Sequence, residues 1–204
     1  MKQSEPPLPA PPTHGLNIVP FAIMAGGWLG PLLMFWLYAW GPLRPFKYAA
    51  GNLLPEAWFL VPVVACFALW WVLPDSYFNI YRFERSGNIY EKLGVLTFRK
   101  FVPNGDFANR WDRRTDPRFR MIRCKNSAAD FIGRTRQSER GHIVLLAFGA
   151  VTSAYAWRLG WHGWAIYLSA GNIVVNFFPI MLQRYTRNRI KRVLAKDYGR
   201  SAKK

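Results

Sequence analysis

Runs of apolar residues set the framework of this chain. Residues 16–40, 57–73 and 161–182 carry no formal charge, and a shorter apolar run covers 143–157. A helix crossing the hydrocarbon core of a bilayer needs about 20 such residues, so the first and last runs suffice as they stand. The 143–157 run becomes long enough when its helix begins earlier and enters the bilayer from the polar side. Ser127, with Asp130 three residues on, reads as an N-cap and capping-box-like helix start. The pattern predicts an all-α integral membrane protein with about four transmembrane helices, near 16–40, 57–73, 141–158 and 161–182. Pro20, Gly26, Gly27, Gly30 and Pro31 interrupt the first span. Membrane helices tolerate such breaks where neighbours satisfy the freed backbone groups, and the breaks also fit a re-entrant segment.

The last span carries its own polar pattern. Asn172, Asn176, Pro179 and Gln183 follow at spacings of three and four, which places them on one helical face. Amides within a span are disfavoured in lipid and turn towards a partner or a water-filled cavity. The face leads into Arg184, Tyr185, Arg187 and Arg189. The bland alternative is that the amides tie helices together and the arginines flank a stop-transfer segment.

Charge sets the orientation. Of the 28 Lys and Arg residues, 15 lie between residues 74 and 141 and 9 after Leu182, whereas the connections on the other side hold only Arg44, Lys47 and Arg158. Lys and Arg gather on the cytoplasmic side, so both termini and the 74–140 loop are expected inside an inner cell membrane. Residues 1–15, with five prolines, read as a disordered tail rather than a signal peptide. The organisation is then tail (1–15), membrane domain (16–182) and basic cytoplasmic tail (183–204). The net charge of +17 follows this topology and favours anionic headgroups. It is tied to membrane boundaries rather than to a soluble basic domain, so nucleic acid is not an expected partner. Cys66 and Cys124 fall on different sides of the interface and imply neither disulfide nor metal site.

Within the loop, Gly87 reads as a turn and Gly94 as a helix stop. Tyr77 and Phe78 suit an interface. Leu96, Phe98, Phe101 and Val102, interleaved with Arg99 and Lys100, suit a helix lying among headgroups. Residues 103–106 signal a turn, and 109–125 show no clean period.

Glu139 and His142, three apart where the third span starts, form a carboxylate–imidazole couple. Histidine moves protons near neutral pH, and a neighbouring carboxylate can hold its ring. Alone, such a couple is more often an ordinary interfacial pair. Its position beside the cytoplasmic end of the amide stripe favours chemistry, because a short turn at residues 158–160 makes the last two spans neighbours. His162 lies at the opposite end and His14 in the tail. Common hydrolase, metalloprotease and nucleotide-binding motifs are absent, as is any metal site.

Several motifs then follow in order: residues 74–78 (PDSYF), Glu84-x-x-Gly87-x-Ile89-Tyr90-Glu91, Gly94-Val95, Phe98-Arg99-Lys100 and Pro103-x-Gly105-Asp106. After them come Glu139-x-x-His142 and Asn172-x3-Asn176-x2-Pro179-x3-Gln183-Arg184-Tyr185-x-Arg187-x-Arg189. This series resembles the glycosyl-4,4'-diaponeurosporenoate acyltransferase family, over roughly residues 57–192. Phe98 and Arg99 stand where the family tends to have Trp and Lys.

The resemblance implies transfer of a fatty acyl group to a sugar hydroxyl of a glycosylated carotenoid or similar lipid-linked glycoside. No bound cofactor is expected; an acyl-CoA is the implied cosubstrate. Expected partners are membrane lipids, the glycoside acceptor and the acyl donor. His142 is then the expected base, Glu139 its orienting partner, and Asn172 or Asn176 the donor to the sugar or the developing oxyanion. Arg184, Arg187, Arg189, Arg99 and Lys100 are the expected phosphate ligands. Gln183, Tyr185, Glu84 and Tyr90 complete the candidate set. Another lipid-modifying membrane enzyme, such as a methyltransferase, and a non-catalytic membrane scaffold are the competing classes.

Overall fold

The computed structural model describes residues 17–39, 56–115 and 125–201, with side chains at 17–39, 61–114 and 128–195. The Pro-rich tail with His14, the connection with Arg44 and Lys47, the side chain of the expected Ser127 cap and the Arg-rich stretch with Cys124 lie outside the described residues. Every element among the described residues is a helix. Two helices, Ile18–Ala39 and His162–Ala195, are long and apolar enough to cross a membrane. A third candidate arises if residues Val61–Val72 and Asp75–Glu84, which meet at a 76° bend, count as one broken span. Among the described residues the fold is therefore all-helical with two to three candidate spans. The helix Lys125–Arg158 runs unbroken from polar into apolar sequence and starts ahead of Ser127. Its short apolar half leaves it outside that set.

The N-terminal helix Ile18–Ala39 is one continuous run rather than a re-entrant pair. Its breaks are absorbed by a π turn at Ala25–Leu29. Pro31 has no N–H to return to the carbonyl of Gly27, its α-helical acceptor. The Tyr167 hydroxyl donates to that carbonyl instead. Trp28, Leu32, Phe35 and Ala39 line the buried stripe and pack with Tyr155, Ala156, Ala165 and Leu168. Phe35 meets Trp161 edge to face at 5.4 Å between ring centroids, and Trp36 stacks on Phe148 at 5.9 Å. The opposite side presents Ile18, Val19, Phe21 and Ile23 outward, as a lipid-facing surface does.

The last helix is α-helical over His162–Asn172 and Phe178–Ser201, with a π turn at Ile173–Phe177 between. Pro179 again follows the wide turn, where its missing N–H and its ring would disrupt regular hydrogen bonding. The long helix Lys125–Arg158 packs along it, and the second helix, Glu56–Val72, packs on the long helix. Arg140 closes that second contact by donating to the Leu73 carbonyl at 3.2 Å and pairing with Asp75 at 3.3 Å. Its guanidinium also covers Phe78. Phe78 is thus fully buried, because the bend after Val72 folds it against the long helix.

The loop is built of short turns. Gly87 and Gly94 both adopt positive φ, 78° and 81°, as a turn and a helix stop require. Leu96, Phe98 and Val102 pack on Tyr90, Val95, Met181, Leu182 and Tyr185, so this segment spends its apolar side on the last helix and leaves Phe101 exposed. Residues 109–115 belong to a helix, Asp106–Thr115. Phe107, Ala108 and Trp111 share one face of it, and of these only Ala108 is buried.

Gly171 permits the close approach of the first and last spans, since a Cβ there would lie 2.5 Å from Cδ1 of Trp28. Trp28 also donates through Nε1 to the Leu168 carbonyl at 3.2 Å. Gly171→Ala should therefore lower the unfolding free energy in detergent by about 1–3 kcal/mol. An unchanged denaturation midpoint would show that the two helices do not meet there. Tyr167→Phe should cost about 1 kcal/mol by leaving the Gly27 carbonyl unpaired, and an equally stable variant would remove that role.

Candidate functional site

The site forms where the last helix passes the long helix and the short turns of the loop. Its first part is a chain of polar side chains leading out of the apolar core. Asn172 Nδ2 donates to the Leu146 carbonyl at 2.9 Å, and Asn176 Nδ2 donates to Asn172 Oδ1 at 2.7 Å. Asn176 Oδ1 then lies 3.1 Å from His142 Nδ1. The direction of this relay is set at its inner end. A backbone carbonyl only accepts, so Asn172 turns its amine to Leu146 and its oxygen to Asn176. Asn176 must likewise turn its oxygen to the imidazole. His142 therefore carries a proton on Nδ1, and in the neutral ring Nε2 keeps its lone pair. Gly149 makes room for the chain, because a Cβ there would fall 2.6 Å from Cγ of Asn172.

The second part is a buried ion network. Glu139 is fully buried and accepts from Arg184 Nε on one oxygen and from Arg187 Nη2 on the other, both at 2.6 Å. Arg184 also reaches Glu84 Oε1 at 2.8 Å and the Tyr77 carbonyl at 2.9 Å, and its guanidinium covers the rings of Tyr77 and Tyr81. Glu84 accepts in addition from the Tyr90 hydroxyl and the Tyr81 backbone N–H. Asn188 donates to the Glu84 carbonyl. One arginine of the last helix thus joins the long helix to the loop.

Burial alone would push the Glu84 carboxyl up. Hydrogen bonds from Tyr90, Arg184 and the Tyr81 amide, with the Arg184 charge, outweigh it and hold the group below its usual range. Burial and the Glu84 carboxylate raise the Tyr90 hydroxyl, which stays a donor. Burial works against the Arg184 charge, but the two carboxylates prevail and keep it cationic.

The expected couple of Glu139 with His142 is not the pairing found. Glu139 is taken by two guanidinium groups, a stronger partnership for a buried carboxylate, and Asn176 holds the imidazole. Asn172 has both ends of its amide engaged within the relay. Gln183 donates to Ser138 Oγ at 3.2 Å. Tyr185 bonds Glu91 at 3.1 Å while its ring packs on Tyr90. The expected phosphate ligands are dispersed. Arg184 and Arg187 are buried, Arg189 is exposed, and Arg99 pairs with Asp106 at 3.0 Å. Lys100 lines a shallow hollow with Asn109, Arg110 and Arg113. Sequence reasoning passed over Asn188 and also Arg136 and Lys191. Their signal was spacing: Arg136 lies three before Glu139, Lys191 four after Arg187 and Asn188 four after Arg184. Among the described residues, no three His, Cys, Asp or Glu side chains converge as metal ligands would.

A carboxyl held below its usual range stabilises the folded state fully above its unfolded pKa, about 4.3 for Glu. That contribution is lost as the pH falls through the folded value. Glu84→Gln should therefore cost about 3 kcal/mol at pH 7, with the gap to wild type closing below about pH 4. Chemical denaturation in detergent across pH 3–8 reads this directly. A gap that does not vary with pH would contradict a charged Glu84 as the source.

Neither the curated proteins nor the solved structures searched contain a match to this chain. The family description that matches residues 74–196 is glycosyl-4,4'-diaponeurosporenoate acyltransferase. The match takes in the loop, the relay and the whole ion network, and covers more than half of the sequence. The chain belongs to the glycosyl-4,4'-diaponeurosporenoate acyltransferase family.

Proposed function

We propose that this protein is an integral-membrane acyltransferase that moves a fatty acyl group from an acyl thioester to a sugar hydroxyl of a glycosylated carotenoid or similar lipid-linked glycoside. Family membership supports the reaction type. The observation that carries the chemistry is the relay from the Leu146 carbonyl to His142, which leaves Nε2 as an oriented proton acceptor.

In this reading the acceptor hydroxyl gives its proton to His142 Nε2 as its oxygen attacks the thioester carbonyl. The tetrahedral intermediate collapses with cleavage of the carbon–sulfur bond, and the departing thiolate takes the proton back from the imidazolium. The hydroxyl becomes an ester and the donor leaves as a free thiol, so protons balance. Asn176 is a positioning residue that fixes the ring, and Asn172 anchors Asn176 rather than meeting the sugar. Glu139 acts at a distance, by holding Arg184 and Arg187 and through them the helix pair. Glu84, Tyr90, Gln183 and Tyr185 belong to that support. Arg189, Arg99 and Lys100 remain candidates for the donor's charged end.

The charge distribution favours four spans with both termini on the cytoplasmic face of an inner cell membrane, the long helix entering from its polar half. Acceptor and donor tails would stay in lipid, with the reacting groups at the inner surface where His142 lies.

The test is lipid and carotenoid mass spectrometry of cells making wild type or His142→Ala at matched membrane abundance. A glycolipid gaining an acyl-sized mass only with wild type is the expected result. Loss of the general base should lower turnover by about 10²–10⁴-fold. Asn176→Leu should lower kcat with little change in KM, as expected of a residue that orients the base. Identical lipid profiles, with acceptor present, would favour the scaffold class, and a methyl-sized increment a methyltransferase.

A further inference from the structure

The ion network leaves one of its charges half used. Arg187 is fully buried, yet only Nη2 has a partner; Nε and Nη1 are buried without one. On the facing helix, one turn before Glu139, Arg136 also has a buried Nε without a partner. Lys191 lies one turn beyond Arg187 on the same face. Burial, and then the charges of Arg136 and Arg187, hold its ammonium below the usual range. Arg136 and Arg187 therefore both lie within electrostatic reach of Lys191. Glu139, the carboxylate nearest in the network, is already shared between Arg184 and Arg187.

A buried N–H left unpaired costs about 1–3 kcal/mol, and buried donors in folded proteins are as a rule satisfied. Three unpartnered nitrogens on two guanidinium groups, with an ammonium beside them, call for an acceptor with several oxygens and more than one negative charge. A phosphate group has both, and guanidinium binds it through paired hydrogen bonds. The place is also suited: all three residues lie on the polar side of the apolar run that ends at Leu182.

We propose that Arg136, Arg187 and Lys191 form a phosphate-binding site between the long helix and the last helix. It differs from the dispersed set of Arg189, Arg99 and Lys100, because Arg136 Nε and Arg187 Nε and Nη1 are buried without partners. The phosphate can be that of a coenzyme A-type donor or of a lipid headgroup. Only the naming of coenzyme A rests on the acyl-transfer reading, and the test below reads binding without turnover.

Full-length protein in nanodiscs of phosphatidylcholine would be titrated with coenzyme A and with inorganic phosphate, following heat of binding. Arg136→Gln and Lys191→Gln disturb none of the observed ion pairs, so they serve beside Arg187→Gln, which also breaks the Glu139 pair. Arg134→Gln, on an exposed position of the same helix, controls for general charge. Binding of coenzyme A weakened at least 10-fold by Arg136→Gln and by Lys191→Gln, but not by Arg134→Gln, assigns the phosphate to the donor. A second arm uses nanodiscs containing phosphatidylglycerol and native mass spectrometry. If coenzyme A does not bind while wild type retains that lipid and the two variants lose it, the phosphate is the headgroup's. If neither ligand distinguishes wild type from both variants, the proposal is overturned, whatever the outcome of the acyl-transfer assay.

Discussion

The architecture depends on one buried carboxylate. Glu139 lies at the point where the long helix leaves polar sequence for apolar sequence, and it has no access to solvent. A charge in such a place is tolerated only when paired and hydrogen-bonded. Two arginines of the last helix meet that demand, and Arg184 extends the pairing to Glu84 and the Tyr77 carbonyl. The helix pair and the loop are thereby locked in one register. Removing either carboxylate would leave a buried guanidinium short of a partner, so the network favours one arrangement over its neighbours.

That register positions the chemistry. One turn along from Glu139, His142 meets Asn176, and two amides carry the hydrogen-bonding direction back to a carbonyl that can only accept. The π turn at Ile173–Phe177 and the absent side chain at Gly149 let the relay fit within a closely packed helix pair. The imidazole is then held from the protein side, with its other nitrogen left for substrate. A polar relay of this kind within an apolar helix pair is costly unless complete, which is why each amide in it is engaged at both ends.

Much of this was legible in the chain, and the remainder failed for identifiable reasons. Charge-free runs located the apolar helices, and Gly87 and Gly94 marked backbone that needs positive φ. The ordered motifs led to the family. The spacing of Glu139 and His142 correctly placed them together on one face, but spacing within a helix does not say which distant partner each will take. Their three partners, Asn176, Arg184 and Arg187, came from 34 to 48 residues away. The basic run after Leu182 resembled a solvated flank, and only packing reveals Arg184 and Arg187 as buried. The helix Asp106–Thr115 was missed because its apolar face is only Phe107, Ala108 and Trp111, and it begins on the turn signal at 103–106 and runs into Arg-rich sequence. Arg136 and Lys191 were passed over because helical spacing does not show which nitrogens packing leaves without partners.

The central claim is that the relay fixes the His142 tautomer and leaves Nε2 as the base. Nitrogen-15 NMR of histidine-labelled protein in nanodiscs, assigned by comparison with His142→Gln, reads that state. The account predicts a neutral His142 with its proton on Nδ1, and loss of that preference in Asn176→Leu. A proton found on Nε2 in the wild type would contradict it, because the nitrogen assigned to take the hydroxyl proton would already carry one.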